Sequence, residues 1–146
     1  MLEYIKSIDW ASYRLPGTES PDILLLMEGL LSDDFDVADL SAVNLSAELD
    51  EALITSVNDL PFVVVPILIK ALNSGATRHK SILIGILTEL TNHTDNKHGF
   101  RPKEKYARLR IEICKGSEIY RSILSETTNV FLTHNLTYIL DVCAKK

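Results

Sequence analysis

The chain has 146 residues, of which 46% are hydrophobic and 24% charged, and these values are typical of one globular domain with its own core. Its longest apolar run, residues 62–69, contains a proline and is far too short to span a bilayer, and the first ten residues lack the features of a secretory signal. We therefore predict a cytoplasmic protein without a membrane-spanning segment.

The charges are distributed unevenly along the chain. Residues 1–60 contain 13 acidic and two basic residues, a net charge of −11, whereas the remaining 86 residues carry a net charge of +6. Such a field contributes little to specifying a fold, but it steers association with a partner of opposite charge. The distribution favours a binding protein over an enzyme.

Helical periodicity begins in the first third of the chain. One apolar stripe is formed by Ile23, Leu26, Met27, Leu30 and Leu31. We predict Ser20 as the N-cap of this helix and Pro21 as its first residue. A second helix is predicted from Val37 to about Leu49, after an acidic turn at residues 32–36. Its inward positions would be Ala38, Ala42, Leu45 and Leu49.

Residues 62–72 are rich in β-branched side chains, which also suit a buried strand. The spacing of the apolar residues and the position of Pro66 favour a helix instead, with Pro66 in its first turn and Gly75 at its end. The next helix has an apolar stripe within residues 82–90. A polar loop is then predicted from Asn92 to Pro102.

The last third of the chain predicts three more helices. Two of them, Lys103 to Lys115 and Ser117 to Leu124, are divided by Gly116, and the last has inward positions at Leu132, Leu136, Ile139, Leu140 and Cys143. The only cysteines, Cys114 and Cys143, lie within apolar helical stretches. We predict that both are reduced and act as small hydrophobic residues.

Amphipathic helices joined by short turns indicate an all-α fold of about eight helices in one domain, residues 1–146. We predict antiparallel helical hairpins stacked as HEAT-like repeats, which form a short α-solenoid, because each pair then buries its apolar face against the next. A closed helical bundle is the alternative.

Three stretches of the sequence resemble a known family. Ile8 to Arg14, Leu31 to Val37 and Val65 to Leu68 are similar to the opening hairpins of bacterial HEAT-like repeat proteins, a pattern that recurs in immunity proteins of contact-dependent growth inhibition and polymorphic toxin systems. The chain departs from the pattern at Glu48 to Val57, which replaces an aromatic and glycine-rich turn. The resemblance implies a monomeric immunity protein that occludes the active site of a cognate toxin in a 1:1 complex.

The acidic half of the chain supplies the candidate partner-binding residues. Nuclease toxins tend to be basic because their substrate is a polyanion, so an acidic surface suits a nuclease inhibitor. The candidates are Asp33, Asp34, Asp36, Asp39, Asp50, Glu51 and Asp59. Asp33, Asp34 and Asp36 also stand at a predicted helix start, where carboxylates cap free amide groups, and Asp50 with Glu51 is also typical of a solvated turn.

Two alternatives remain open. One is a helical-repeat adaptor for another protein partner. The other is a HEAT-like nucleic-acid enzyme such as a DNA glycosylase, suggested by a basic helical face at Arg101, Lys105 and Arg108 that Lys97, Lys103, Arg110, Lys115 and Arg121 enlarge. Aromatic residues are not interleaved with these bases, so a solvated helix face is the simpler interpretation.

The sequence predicts neither a catalytic site nor a metal-binding site. His93 and His98 are five residues apart in the predicted polar loop, a spacing that does not put two metal ligands on one helical face. No serine or cysteine has the local motif of a nucleophile. We therefore predict no enzyme activity, no catalytic or metal site, no cofactor and no binding to nucleic acid or membrane.

Overall fold

The computed structural model describes residues 1–13, 22–55, 58–95 and 103–145, and every regular element within these ranges is helical. The elements are α1 (Leu2–Lys6), a 3₁₀ helix (Trp10–Tyr13), α2 (Ile23–Leu30), α3 (Phe35–Thr55), α4 (Leu60–Ser74), α5 (Lys80–Asp95), α6 (Lys103–Cys114), α7 (Ser117–Glu126) and α8 (Val130–Ala144). The predicted all-α class is confirmed for this part of the chain. None of these helices is both long and apolar enough to cross a membrane.

The core is centred on α5, which packs against α3, α4, α6 and α8. Its side chains Leu83, Ile84 and Leu87 are fully buried. They belong to one apolar cluster that extends from Ile5 in α1 to Ile139 in α8. Burial of an apolar side chain of this size stabilises the fold by roughly 1.5 to 3 kcal/mol.

The N-terminal segment is held by Trp10, which is 4% exposed. Its indole N–H donates a 2.7 Å hydrogen bond to the Ile5 carbonyl, so the polar edge of the ring is satisfied while its body packs in the core. α1 and the 3₁₀ helix both contact α2. Trp10 is therefore a core residue.

The starts of α2 and α3 differ from the prediction. α2 begins at Ile23 and its N-cap is Asp22, whose side chain accepts from the Leu24 N–H at 3.0 Å. The start at Ile23 is later than predicted, and the predicted cap Ser20 and first residue Pro21 lie outside the described residues. α3 is longer than predicted at both ends, and Asp50 and Glu51, also considered as a solvated turn, lie in its last two turns.

α4 begins earlier than Pro66. The Asn58 side chain accepts from the Leu60 N–H at 3.0 Å, and Pro61 lies in the first turn, where a missing N–H costs no helical hydrogen bond. Pro66 is exposed in the helix interior instead of the predicted first turn. The predicted end is confirmed, because Gly75 adopts φ 71° as the C-cap.

The polar loop predicted from Asn92 is also corrected in part. Residues 92–95 form the last turn of α5, and residues 96–102 lie outside the described ranges. This last turn is connected to the C-terminal half of the chain. Asp95 forms an ion pair with Lys145 at 3.1 Å, and Arg110 donates to the Thr94 carbonyl at 2.9 Å.

The prediction of reduced cysteines is wrong. Cys114, the last residue of α6, and Cys143, in the last turn of α8, form a disulfide with a Cα–Cα distance of 5.6 Å, a separation typical of disulfide bonds. The two residues are 29 positions apart and become neighbours only because α6 packs against α8. The bond therefore crosslinks the C-terminal ends of two packed helices.

The turn between α6 and α7 depends on Gly116. A Cβ there would lie 2.6 Å from Cζ of Tyr120, a fully buried side chain whose hydroxyl donates to the Ile113 carbonyl at 2.8 Å. Burial also raises the pKa of Tyr120 well above its ordinary value. The ring has little room to move away from an added methyl group.

We expect Gly116→Ala to lower the free energy of unfolding by about 1 to 3 kcal/mol through overpacking. The matched control is Gly85→Ala in α5, where a Cβ would meet nothing within 4 Å. That change should be neutral or should stabilise α5 by about 0.5 to 1 kcal/mol, since alanine is the better helix former. Urea denaturation measures both variants. Equal stability of the two variants would show that the Tyr120 ring moves to accommodate the added methyl group.

Candidate functional site

A groove of about 580 Å³ lies between α3 and α5. α3 contributes one face of the helix, including Asp39, Val43 and Asp50, because residues three, four and seven positions apart lie on the same side. α5 contributes Gly85 and Glu89 among others. The missing side chain at Gly85 leaves open space between the helices, since nothing lies within 4 Å of where its Cβ would be.

One end of the groove is polar. The Asp50 carboxylate on α3 lies 2.9 Å from Nε2 of His93 on α5, and both side chains are partly buried. Glu89, one turn before His93, joins them, so that a ligand atom of each residue lies within 4.8 Å of the others. Two acidic side chains and one imidazole from facing helices therefore converge here.

The pKa of Glu89 is raised above its ordinary value. The side chain as a whole is exposed, but partial burial of its carboxyl group is the largest cause, and the hydrogen bond and negative charge of Asp50 act in the same direction. A hydrogen bond from Ser46 and the neighbouring His93 act in the opposite direction. Glu89 and Asp50 thus form a carboxyl pair in which Glu89 binds a proton more readily than an ordinary glutamate does.

The other end of the groove is aromatic. Phe35, which is 53% exposed, lies at the start of α3 and contacts the His79 ring edge-on at a centroid distance of 5.4 Å. His79 Nε2 lies 3.0 Å from the Asp33 carbonyl. The Asp33 carboxylate also pairs with Arg78 at 3.3 Å, but both side chains are well exposed, so this ion pair contributes little to stability.

The acidic residues predicted at the start of α3 have different roles. The Asp34 carboxylate accepts from the N–H groups of Asp36 and Val37, at 2.9 and 3.3 Å, so Asp34 is a helix cap. Asp36 and Asp39 are exposed, and Asp39 lines the groove. The capping interpretation therefore holds for Asp34, while Asp36 and Asp39 present their charge to solvent.

The other predicted acids are also separated by the structure. Asp50 is in the groove, whereas Glu51 is exposed and does not line it. Asp59 stands before the first turn of α4 and is exposed. The structure thus brings Asp39 and Asp50 together along one groove, and it leaves Glu51 and Asp59 outside it.

The predicted basic face is not a simple solvated surface. Lys105 donates to the carbonyls of Ala52 and Asn58, both at 3.2 Å, and so ties α6 to the junction between α3 and α4. Burial lowers the pKa of Lys105. The Arg108 guanidinium lies 4.6 Å from the centre of the Phe62 ring. Lys105 and Arg108 therefore support packing, and Arg101 lies outside the described residues.

Glu89 and His93 were not predicted from the sequence as parts of a site. Both lie on α5 at the four-residue spacing that puts side chains on one face. This spacing is visible in the sequence, but the polar loop was predicted to begin at Asn92, so His93 was assigned to the loop and not to the helix. The partner residue Asp50 lies 43 positions earlier, so only the tertiary structure could join it to His93.

No family model matches the chain, and no curated protein or solved structure is found to be similar to it. The resemblance to HEAT-like immunity proteins therefore rests on the three short stretches named above. The described residues define the chain only as an all-α protein with an acidic groove between two helices. Its function is inferred from that groove.

Proposed function

We propose that the chain binds a basic segment of a partner protein in the groove between α3 and α5. The observation that carries this proposal is the charge of the groove. Its lining includes the carboxylates of Asp39, Asp50 and Glu89, and none of the described residues that line it is Lys or Arg. A groove of one charge sign attracts an oppositely charged partner and orients it.

Apolar residues beside these acids support a protein partner. Phe35, Leu40 and Val43 on α3 are 53%, 63% and 61% exposed, and Phe35 and Val43 line the groove. Protein interfaces combine apolar and aromatic anchors with a polar rim. The pattern suits a basic protein surface that also presents apolar side chains.

The particular function that we propose is that of an immunity protein. A chain that occludes a basic nuclease toxin needs an acidic surface and no chemistry of its own, and it would act as a monomer in a 1:1 complex. The proposal includes a HEAT-like arrangement. It is supported by the packing of α2 against α3 and of α4 against α5, as in helical hairpins, and by the packing of α5 against both α3 and α8. Lys105 and Arg108 are engaged in packing, and this weakens the nucleic-acid alternative.

The cytoplasmic location remains a prediction. The disulfide between Cys114 and Cys143 is the observation against it, because such bonds persist in oxidising compartments and are rare in the cytosol. The proposed binding does not depend on the compartment. Both half-cystines lie at the C-terminal ends of α6 and α8 and not in the groove lining.

The test blocks the groove without disturbing the core. Gly85→Leu places a side chain in the open space of the groove, and leucine has a good helix propensity. Gly85→Ala is the control. The wild-type chain should co-purify with a basic protein from cells that contain both. Gly85→Leu should weaken that binding by at least about tenfold, because the added side chain displaces interface contacts, and Gly85→Ala should retain it.

Growth protection then separates the immunity function from an adaptor function. Cells that express the captured protein should stop growing, and co-expression of the wild-type chain should restore growth. Gly85→Leu should fail to do so. A partner that is not toxic would leave the groove as a binding site but reject the immunity function, and equal binding by both Gly85 variants would reject the groove.

A further inference from the structure

The polar end of the groove places three metal-binding side chains opposite one another. Asp50 comes from α3, and Glu89 and His93 come from one face of α5. The set is mixed, with one imidazole nitrogen and two carboxylates whose ligand atoms lie within 4.8 Å of one another. Two helices that pack together fix the relative positions of these residues.

From this convergence we infer that Asp50, Glu89 and His93 bind one divalent transition-metal cation. Zn²⁺ is the ion that we use to represent this class. An imidazole ligand suits zinc and its neighbours in the first transition series, whereas Mg²⁺ and Ca²⁺ prefer oxygen ligands alone. The inference rests on the side-chain geometry, and its test does not require the proposed partner. It assigns to His93 a role that the sequence did not suggest.

The distances require little rearrangement. Ligand atoms around a tetrahedral zinc ion, with bonds of about 2.0 to 2.2 Å, are roughly 3.3 to 3.6 Å apart. Asp50 Oδ1 and His93 Nε2 are 2.9 Å apart, so they need only separate slightly to admit the cation. Glu89 is exposed and can rotate its carboxylate towards the other two.

Metal binding would have two consequences for the groove. The cation would join α3 to α5 through bonds stronger than the present hydrogen bond between Asp50 and His93, and so stabilise the folded state. A site with three protein ligands also keeps a position for water or for a side chain of a bound molecule. Because Asp50 and Glu89 line the groove, that position would be reached from it.

The experiment titrates the metal-free, full-length chain with Zn²⁺ and, separately, with Mg²⁺ by isothermal titration calorimetry. The protein carries no polyhistidine tag and keeps its disulfide, so that neither a tag nor a thiolate competes for the metal. We expect one Zn²⁺ per chain and no comparable binding of Mg²⁺. Visible absorption of bound Co²⁺ reports the coordination geometry independently.

Three glutamine substitutions provide the comparison. His93→Gln should weaken Zn²⁺ binding by at least about tenfold, since one of the three protein ligands is lost. His134→Gln on α8 is the control, because His134 is exposed and not part of the cluster. Glu89→Gln, at an exposed position, should weaken binding similarly and serves if His93→Gln fails to fold. Absence of 1:1 binding by the wild type, or equal affinity of the His93 and His134 variants, would overturn the inference.

Discussion

Replacing Cys114 and Cys143 by alanine is expected to lower the free energy of unfolding by about 3 to 4 kcal/mol, as the loop-closure entropy of this crosslink predicts. The crosslinked residues are 29 positions apart, so the bond removes many conformations from the unfolded chain. A loss of this size is a large fraction of the stability of an ordinary domain. Urea denaturation of the wild type and the double variant measures it.

The matched control leaves the sequence unchanged. Wild-type protein treated with a thiol reductant should lose nearly the same free energy, and reductant should have no effect on the double variant. Thiol titration of the denatured wild type should find no free cysteine before reduction. Two thiols in the untreated protein, with a stability equal to that of the double variant, would contradict the crosslink.

The second large effect is expected in binding. Asp36→Lys combined with Asp39→Lys changes the net charge from −5 to −1 and should slow association with the basic partner. If either carboxylate makes a desolvated charged contact, affinity falls further, by about 1.5 to 3 kcal/mol for each contact. The difference in association rate from the wild type should shrink as salt is added, because exposed charges are screened.

The control for this prediction carries the same change in net charge on another face. Glu118 and Glu126 are exposed on α7, and their replacement by lysine should reduce the association rate far less. Asp34→Asn should leave both folding and binding nearly intact, since asparagine also caps a helix. If the α7 variant slowed association as much as the α3 variant, the effect would come from net charge and not from this surface.

The periodicity of apolar residues was sufficient to predict the helices and most of their buried faces. Ala38, Ala42, Leu45 and Leu49 are buried on α3 as predicted. The helix ends were less accurate because several residues can serve as a start signal. Pro61 and Pro66 are both compatible with a first turn, and only the hydrogen bond from Leu60 to Asn58 distinguishes them.

The candidate site could be predicted only in part, because it joins residues that are far apart in the chain. Asp39 and Asp50 were found by their charge. Glu89 and His93 become significant only when α5 packs against α3. The disulfide was missed for the same reason. Each cysteine alone is typical of an apolar helical position, and only the packing of α6 against α8 brings the two together.

Substitutions on the two sides of α3 would have different effects. Leu45, Leu49 and Leu53 are fully buried, so substitutions there would affect folding before they affected recognition. Leu40 and Val43 are exposed, and their identities can change at little cost to the core. A lineage could therefore acquire a new binding partner by mutating the outer side of a single helix while the rest of the protein stayed the same.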